Sequence, residues 1–242
     1  MNRHLPLVLI CLGSVACQST YSNKRMSVDD DALVRVPVAE RESINKAREE
    51  HLQAQDRIAV AEQAVEAAQA DLDIAKRTAG VSHDEMSVAQ ERCDIARKLD
   101  PETRQDAIRT ADRDLDAVCA HARWADAQVD CQERVIEEKQ AQVDLEKRRV
   151  DLAEAKVELA KAKAVNTSDS TDRHEYDVSA FESVVTARQL DVDLAEIDRD
   201  AWQKKLRLCR DAVEARADAV PTSYGTTWRS MDAIPAASPA KK

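Results

Sequence analysis

Apolar residues recur along most of this chain at alternating spacings of three and four. Ile44, His51, Ile58, Val65, Leu72 and Ala79 are seven apart, and Ala47, Ala54, Ala61, Ala68 and Ala75 each follow by three. Such a pattern, sustained over five heptads, predicts an α-helix with a coiled-coil seam. Ile44, Ala47, Ile58, Ala61, Val65, Ala68, Leu72 and Ala75 carry that seam, and His51 is a polar position that fixes register. Alanine at every second seam position lets a partner helix approach to the low end of the usual ~8–10 Å. The helix is predicted over 38–79, after Pro37, with Gly80 as its stop.

Ser82-His83-Asp84-Glu85 has the form of a capping box and predicts a new helix start. Asp100-Pro101 is another start signal, with Asp as N-cap and Pro at the first helical position. The seam resumes at Ile108 and repeats every seven residues through Leu115, Ala122, Val129, Ile136, Val143, Val150 and Val157 to Ala164. Its companion series is Ala111, Val118 and Ala125, then Gln132, Lys139 and Glu146, then Ala153 and Ala160. The polar middle predicts a locally wet or looser seam. A polar turn cluster follows at 166–172, and Ser179-Ala180-Phe181-Glu182 repeats the capping-box form ahead of a helix running to about Ala219. Val220-Pro221 ends it.

The predicted fold class is all-α: an elongated antiparallel coiled-coil hairpin of three to four long helices with disordered termini. Helices over 38–79 and 179–219 have 42 and 41 residues, and the stretch 82–165 has 84. That arithmetic favours one long helix kinked at Pro101, with a shorter helix paired to each half, in a rod of about 125 Å. The alternative turns the chain back at residue 100. On its other face the long helix carries Trp124, Ala127, Cys131, Ala141, Leu145, Leu152, Ala155, Leu159 and Ala162. This second stripe predicts contact with a second copy or another helical protein.

Composition narrows the function classes. Between Val38 and Val220 there is one Gly and one Pro, too few for the turns of a compact enzyme. Aromatic residues make up 3%, which leaves little to line a deep pocket. A net charge of −10 argues against nucleic acid as a partner, because phosphate binding needs a basic face.

Residues 1–16 read as an export signal: Arg3, the apolar run Leu5 to Leu12, then Gly13, Ser14, Val15 and Ala16. Eight apolar residues are too few to span a bilayer, which takes about 20. Val15-Ala16-Cys17 matches the last three positions of a lipobox, with Ser14 where Leu is usual. Here the chain resembles the bacterial lipoproteins. The resemblance implies a diacylated Cys17 carrying palmitate-type chains, and Gln18, a residue other than Asp, implies the outer membrane. Ser14-Val15-Ala16 is also a small-x-small site for ordinary signal peptidase, which would release a soluble periplasmic protein. Residues 17–37 then form a flexible tether, 38–220 a helical rod, and 221–242 a disordered Pro-, Ser- and Ala-rich tail. The plan is weakly similar to the murein lipoproteins, and the ending Ala240-Lys241-Lys242 makes peptidoglycan a candidate partner.

Candidate chemistry is sparse. No catalytic residues, metal ligands or cofactor are predicted. His174 stands beside Asp172, Glu175 and Asp177 without metal-ligand spacing, and Asp29-Asp30-Asp31 reads as a solvated run. Cys131 and Cys209 are candidates for a disulfide. If 82–165 and the last helix pair antiparallel, partners have numbers summing to about 343, and this pair sums to 340. A bridge there would stabilise by about 2–4 kcal/mol. A Cys93–Cys119 link is expected only if the chain turns back near residue 106. The resulting reading is a non-enzymatic, lipid-anchored envelope protein, a helical periplasmic spacer or scaffold. An adaptor or chaperone-like partner of an export complex is the alternative, as is a soluble periplasmic coiled coil.

Overall fold

The computed structural model describes residues 26–34, 36–168 and 175–221. Its described elements are all helical: α1 (Asp30–Leu33), a 3-10 turn (Val38–Arg41), α2 (Glu42–Ala96), α3 (Pro101–Thr167) and α4 (Val178–Asp218). Lipid attachment at Cys17, the tail from 222, and Asp172 and His174 lie outside the described residues.

α2 runs 55 residues, straight through Gly80. The reason is visible in what it buries. Ala79, Ser82, Ala89, Cys93 and Ala96 all face inward, continuing the seam of Ile44, Ala47, Ala54, Ala61, Ala68 and Leu72. One internal glycine costs about 1 kcal/mol, less than the further stretch of packed seam from Gly80 to Ala96 contributes. The predicted capping box at Ser82 is therefore no helix start. Its hydroxyl instead donates back to the Thr78 carbonyl at 3.0 Å. Ile58, Val65, Ala75 and His51 are half-buried at the edges of the same seam.

The break at Asp100-Pro101 is a reversal, not a kink. Lys98 N–H closes onto Ile95 O at 2.9 Å and Leu99 N–H onto Ala96 O at 3.3 Å, which winds the end of α2 tight. Arg104 Nε takes the Leu99 carbonyl at 2.7 Å. Asp100 sits extended at φ −62°, ψ 150°, as a residue before proline must, and makes no side-chain cap bond. The longest helix is thus α3, 67 residues or about 100 Å, rather than the 125 Å rod expected from a single kinked helix.

α2 lies antiparallel along most of α3. Ile44 packs with Ala164 at one end, and Cys93 and Ala96 pack with Ala111 at the other. Arg57–Glu146 (3.6 Å), Lys76–Glu133 (3.5 Å) and His83–Asp126 (2.9 Å) fix the register between them. α4 lies antiparallel on the other face of α3, held by Lys163–Glu182 (2.8 Å) and Arg149–Glu196 (2.7 Å). It covers the second stripe: Leu145 and Leu152 meet Val192, and Cys131 and Val135 share a cluster with Leu206 and Val213. That stripe is covered from within the chain and offers no face to a second copy, which corrects the expectation drawn from it.

Asp177, not Ser179, caps α4, accepting from the amides of Ser179 (3.0 Å) and Ala180 (3.3 Å). The Ser179 hydroxyl and these amides hold its carboxyl below the usual carboxylate range. Asn166 closes the α3–α4 connection, donating to Tyr176 O at 2.8 Å and accepting from Tyr176 N–H at 3.0 Å.

Much of the expected tether is docked. Val28 is buried between Ala162 and Phe181, and Val36 between Ile44 and Ala164. Glu158 accepts from Val28 N–H at 2.7 Å. The acidic run has local uses: Asp29 caps α1, and Asp30 pairs with Lys161 at 3.5 Å. At the other end, Val220 joins the cluster of Ala79 and Trp124. Three helices therefore lie side by side over most of the rod, and along the last ~35 Å toward the bend, beyond Trp124, α2 and α3 are the only helices among the described residues.

Candidate functional site

Three polar constellations interrupt the apolar seams. The largest crosses all three long helices. Glu146 is 4% exposed. Its Oε1 accepts from Gln142 at 2.6 Å and Arg149 at 2.9 Å, and its Oε2 lies 3.6 Å from Arg57 of α2. Arg149 also reaches Glu196 of α4 at 2.7 Å. The polar middle of the seam, expected to be wet or loose, is at Glu146 a buried and internally paired layer. Two turns away Glu138 is also buried, accepting from Gln203 at 3.3 Å with Lys139 Nζ 3.0 Å from its other oxygen. Paired buried charges contribute little net stability, but an unpaired one is costly, so the layer penalises any slip of α2 or α4 along α3. Glu138 went unnoticed in the sequence because it lies off the main seam, on the side α4 covers.

The second constellation is Ser82, Glu85 and His121. Ser82 Oγ is 3.2 Å from His121 Nδ1, and Glu85 Oε2 is 3.9 Å from the same nitrogen. The resemblance to a nucleophile–base–acid set ends there. In such a set the base uses one nitrogen for the nucleophile and the other for the acid, whereas both contacts here converge on Nδ1. The Ser82 hydroxyl is also fully buried and directed to the Thr78 carbonyl. His121 stacks on Trp124 with ring centroids 5.4 Å apart. The group is a polar plug where α4 ends. His83, part of the capping box read as a helix start, lies inside α2 and joins Asp126 on the surface.

The third is the thiol pair. Cys131 of α3 is buried, and Cys209 of α4 packs against its cluster within hydrogen-bond reach. Burial first, and the neighbouring Cys209 thiol second, push the Cys131 thiol up to about 12. The sequence register thus brings the two predicted partners together, and all four described cysteines are free thiols in this structure. Cys93 and Cys119 do not meet, although the chain turns back. The bend lies at 97–100 rather than near 106, so Cys93 sits against Ala111 and hydrogen-bonds Asp112. Burial raises the Cys93 thiol, with Asp112 adding to the shift.

Among the described residues no three His, Cys, Asp or Glu side chains are grouped to hold a metal ion. Glu175 is exposed, and Asp177 is spent on its cap. No described helix is long and apolar enough to cross a membrane. Compared with protein-family models, curated proteins and solved structures, the chain matches none of them.

Proposed function

We propose that this chain is a lipid-anchored spacer or scaffold of a bacterial cell envelope, held at one end of a stiff helical rod. The supporting observation is where the N-terminal segment is fixed. The segment ahead of α2 packs against the end of α3 through Val28 and Val36. A diacylated Cys17 lies nine residues ahead of Met26, so it would hold that end within about 30 Å of the outer membrane. The bend at 97–100 would then stand about 90 Å farther along the rod. An acyl anchor keeps local concentration at the membrane high, and a stiff rod fixes reach. Labelled fatty acid should enter the wild-type chain and not Cys17→Ser. Equal labelling of both would overturn the reading.

A further inference from the structure

The inward side of α4 is accounted for by Phe181, Val192, Leu206 and Val213, all buried. On the opposite side, Leu190, Leu194, Ile197 and Leu208 are 59, 54, 64 and 71% exposed. Ala201 between them is exposed too, and Lys204 fills the one remaining position. Positions 190, 194, 197, 201, 204 and 208 alternate in steps of four and three, the spacing of a second coiled-coil seam about 27 Å long. Single exposed leucines are ordinary, but five apolar residues in six seam positions form a continuous face. α2 also has exposed apolar residues at Val60, Ile74, Val81, Val88 and Ile95, but these run single file without a companion row.

The flanks of the α4 seam indicate its occupant. Asp191 and Asp193 border its first end, Asp198 and Asp200 its middle, and Lys205 and Arg207 its second end. We propose that α4 pairs antiparallel with α4 of a second copy of this chain, about a two-fold axis near residue 199. In that register Leu190 faces Leu208 of the partner subunit, and Ile197 faces Ala201 of the partner subunit. Lys204 lies beside Leu194 of the partner subunit, where its stem covers the leucine and its ammonium reaches water. Asp191 faces Lys205 of the partner subunit, and Asp193 faces Arg207 of the partner subunit. Both contacts occur twice by symmetry. Near the axis Asp198 and Asp200 approach their own copies, and Arg199, bound to Asp200 at 2.7 Å, offsets part of that charge. A parallel pair would set Lys204 against its own copy within the seam and Asp193 beside Asp198. Charge order therefore selects the antiparallel form.

This inference stands apart from lipid anchoring, and each can fail alone. The full chain in a mild non-ionic detergent should sediment as a dimer at micromolar concentration. Leu194→Asp with Ile197→Asp should make it monomeric at unchanged helicity, because both residues are exposed in the single chain. Two charge variants then test orientation. Asp191→Lys with Asp193→Arg makes both ends of the seam basic around the central Asp198 and Asp200, and Lys205→Asp with Arg207→Asp makes both ends acidic. Each alone should dissociate about tenfold or more readily than the wild type, and their mixture should recover wild-type association. A monomeric wild type, a dimer indifferent to the Leu194 and Ile197 changes, or a mixture no tighter than its components would overturn the proposal.

Discussion

The two faces of α3 are built by opposite rules. Toward α2 the seam is mostly alanine, with Ala47, Ala54, Ala61, Ala68, Ala79, Ala89 and Ala96 buried along 55 residues. Toward α4 the burial is concentrated in fewer, larger groups: Trp124, Leu145, Leu152, Phe181, Val192, Leu206 and Val213. Small residues let two backbones come close and spread stabilisation thinly over a long contact. Large ones fill a wider gap and concentrate it. One face should therefore be sensitive to added volume and the other to removed volume.

The largest expected effect is at the α4 face. Leu145 is fully buried, so Leu145→Ala should cost about 3–5 kcal/mol in a urea titration, through lost transfer energy plus the cavity left behind. A cost below ~1 kcal/mol would mean this face is loosely packed. On the other face the informative change is the reverse one. Ala54→Leu, at a site 1% exposed, should destabilise by about 1–3 kcal/mol, because the close seam has no room for three more carbons. A neutral or stabilising result would show that α2 and α3 stand farther apart than an alanine seam requires.

A smaller effect, confined to alkaline pH, tests how dry the α4 face is around Cys131. Its folded thiol titrates near 12 against an ordinary value of 9.0. Above about pH 9 the unfolded chain gives up this proton while the folded chain keeps it, so stability falls as pH rises from about 9 to about 12. Below pH 9 the group contributes no pH dependence. Cys131→Ala should flatten that part of the stability profile, and an unchanged slope would count against a desolvated thiol. The smallest effect is a gain. Gly80 is helical and exposed, with open space where a Cβ would stand. Gly80→Ala should therefore stabilise by about 0.5–1 kcal/mol in the same titration, and a loss would place the end of the helix there after all.

Much of this architecture can be read locally, because heptad spacing is a property of neighbouring residues. The seam from Ile44 to Ala75 and the α3–α4 register that brings Cys131 to Cys209 both follow from counting. Gly80 is a stop signal only where the seam ends with it, and here the seam runs on. Ser82, Ala89 and Ala96 continue the Ala47 series every seven residues, and Met86 and Cys93 continue the Ile44 series. Followed to 96, those series require one helix. The reversal at 97–100 is different in kind. Asp100-Pro101 marks a helix start whether the chain bends slightly or turns back, and the outcome depends on the 55-residue seam finding α3. The assignment of the second stripe failed for the same reason. Its partner is α4, and long-range pairing decides that between two helices of similar pattern.

The step from three helices to two beyond Trp124 divides the molecule into zones of unequal persistence. Where α4 is present, an amide of α3 becomes accessible to solvent only when packing on both sides is lost. Nearer the bend, α2 is the only described helix packed on α3, along the close seam of Ser82, Ala89 and Ala96. Local opening free energies should therefore fall toward the bend. Deuterium should enter the amides around 85–115 well before those around 140–160, so the end of the rod farthest from Val28 and Val36 is also the end that breathes.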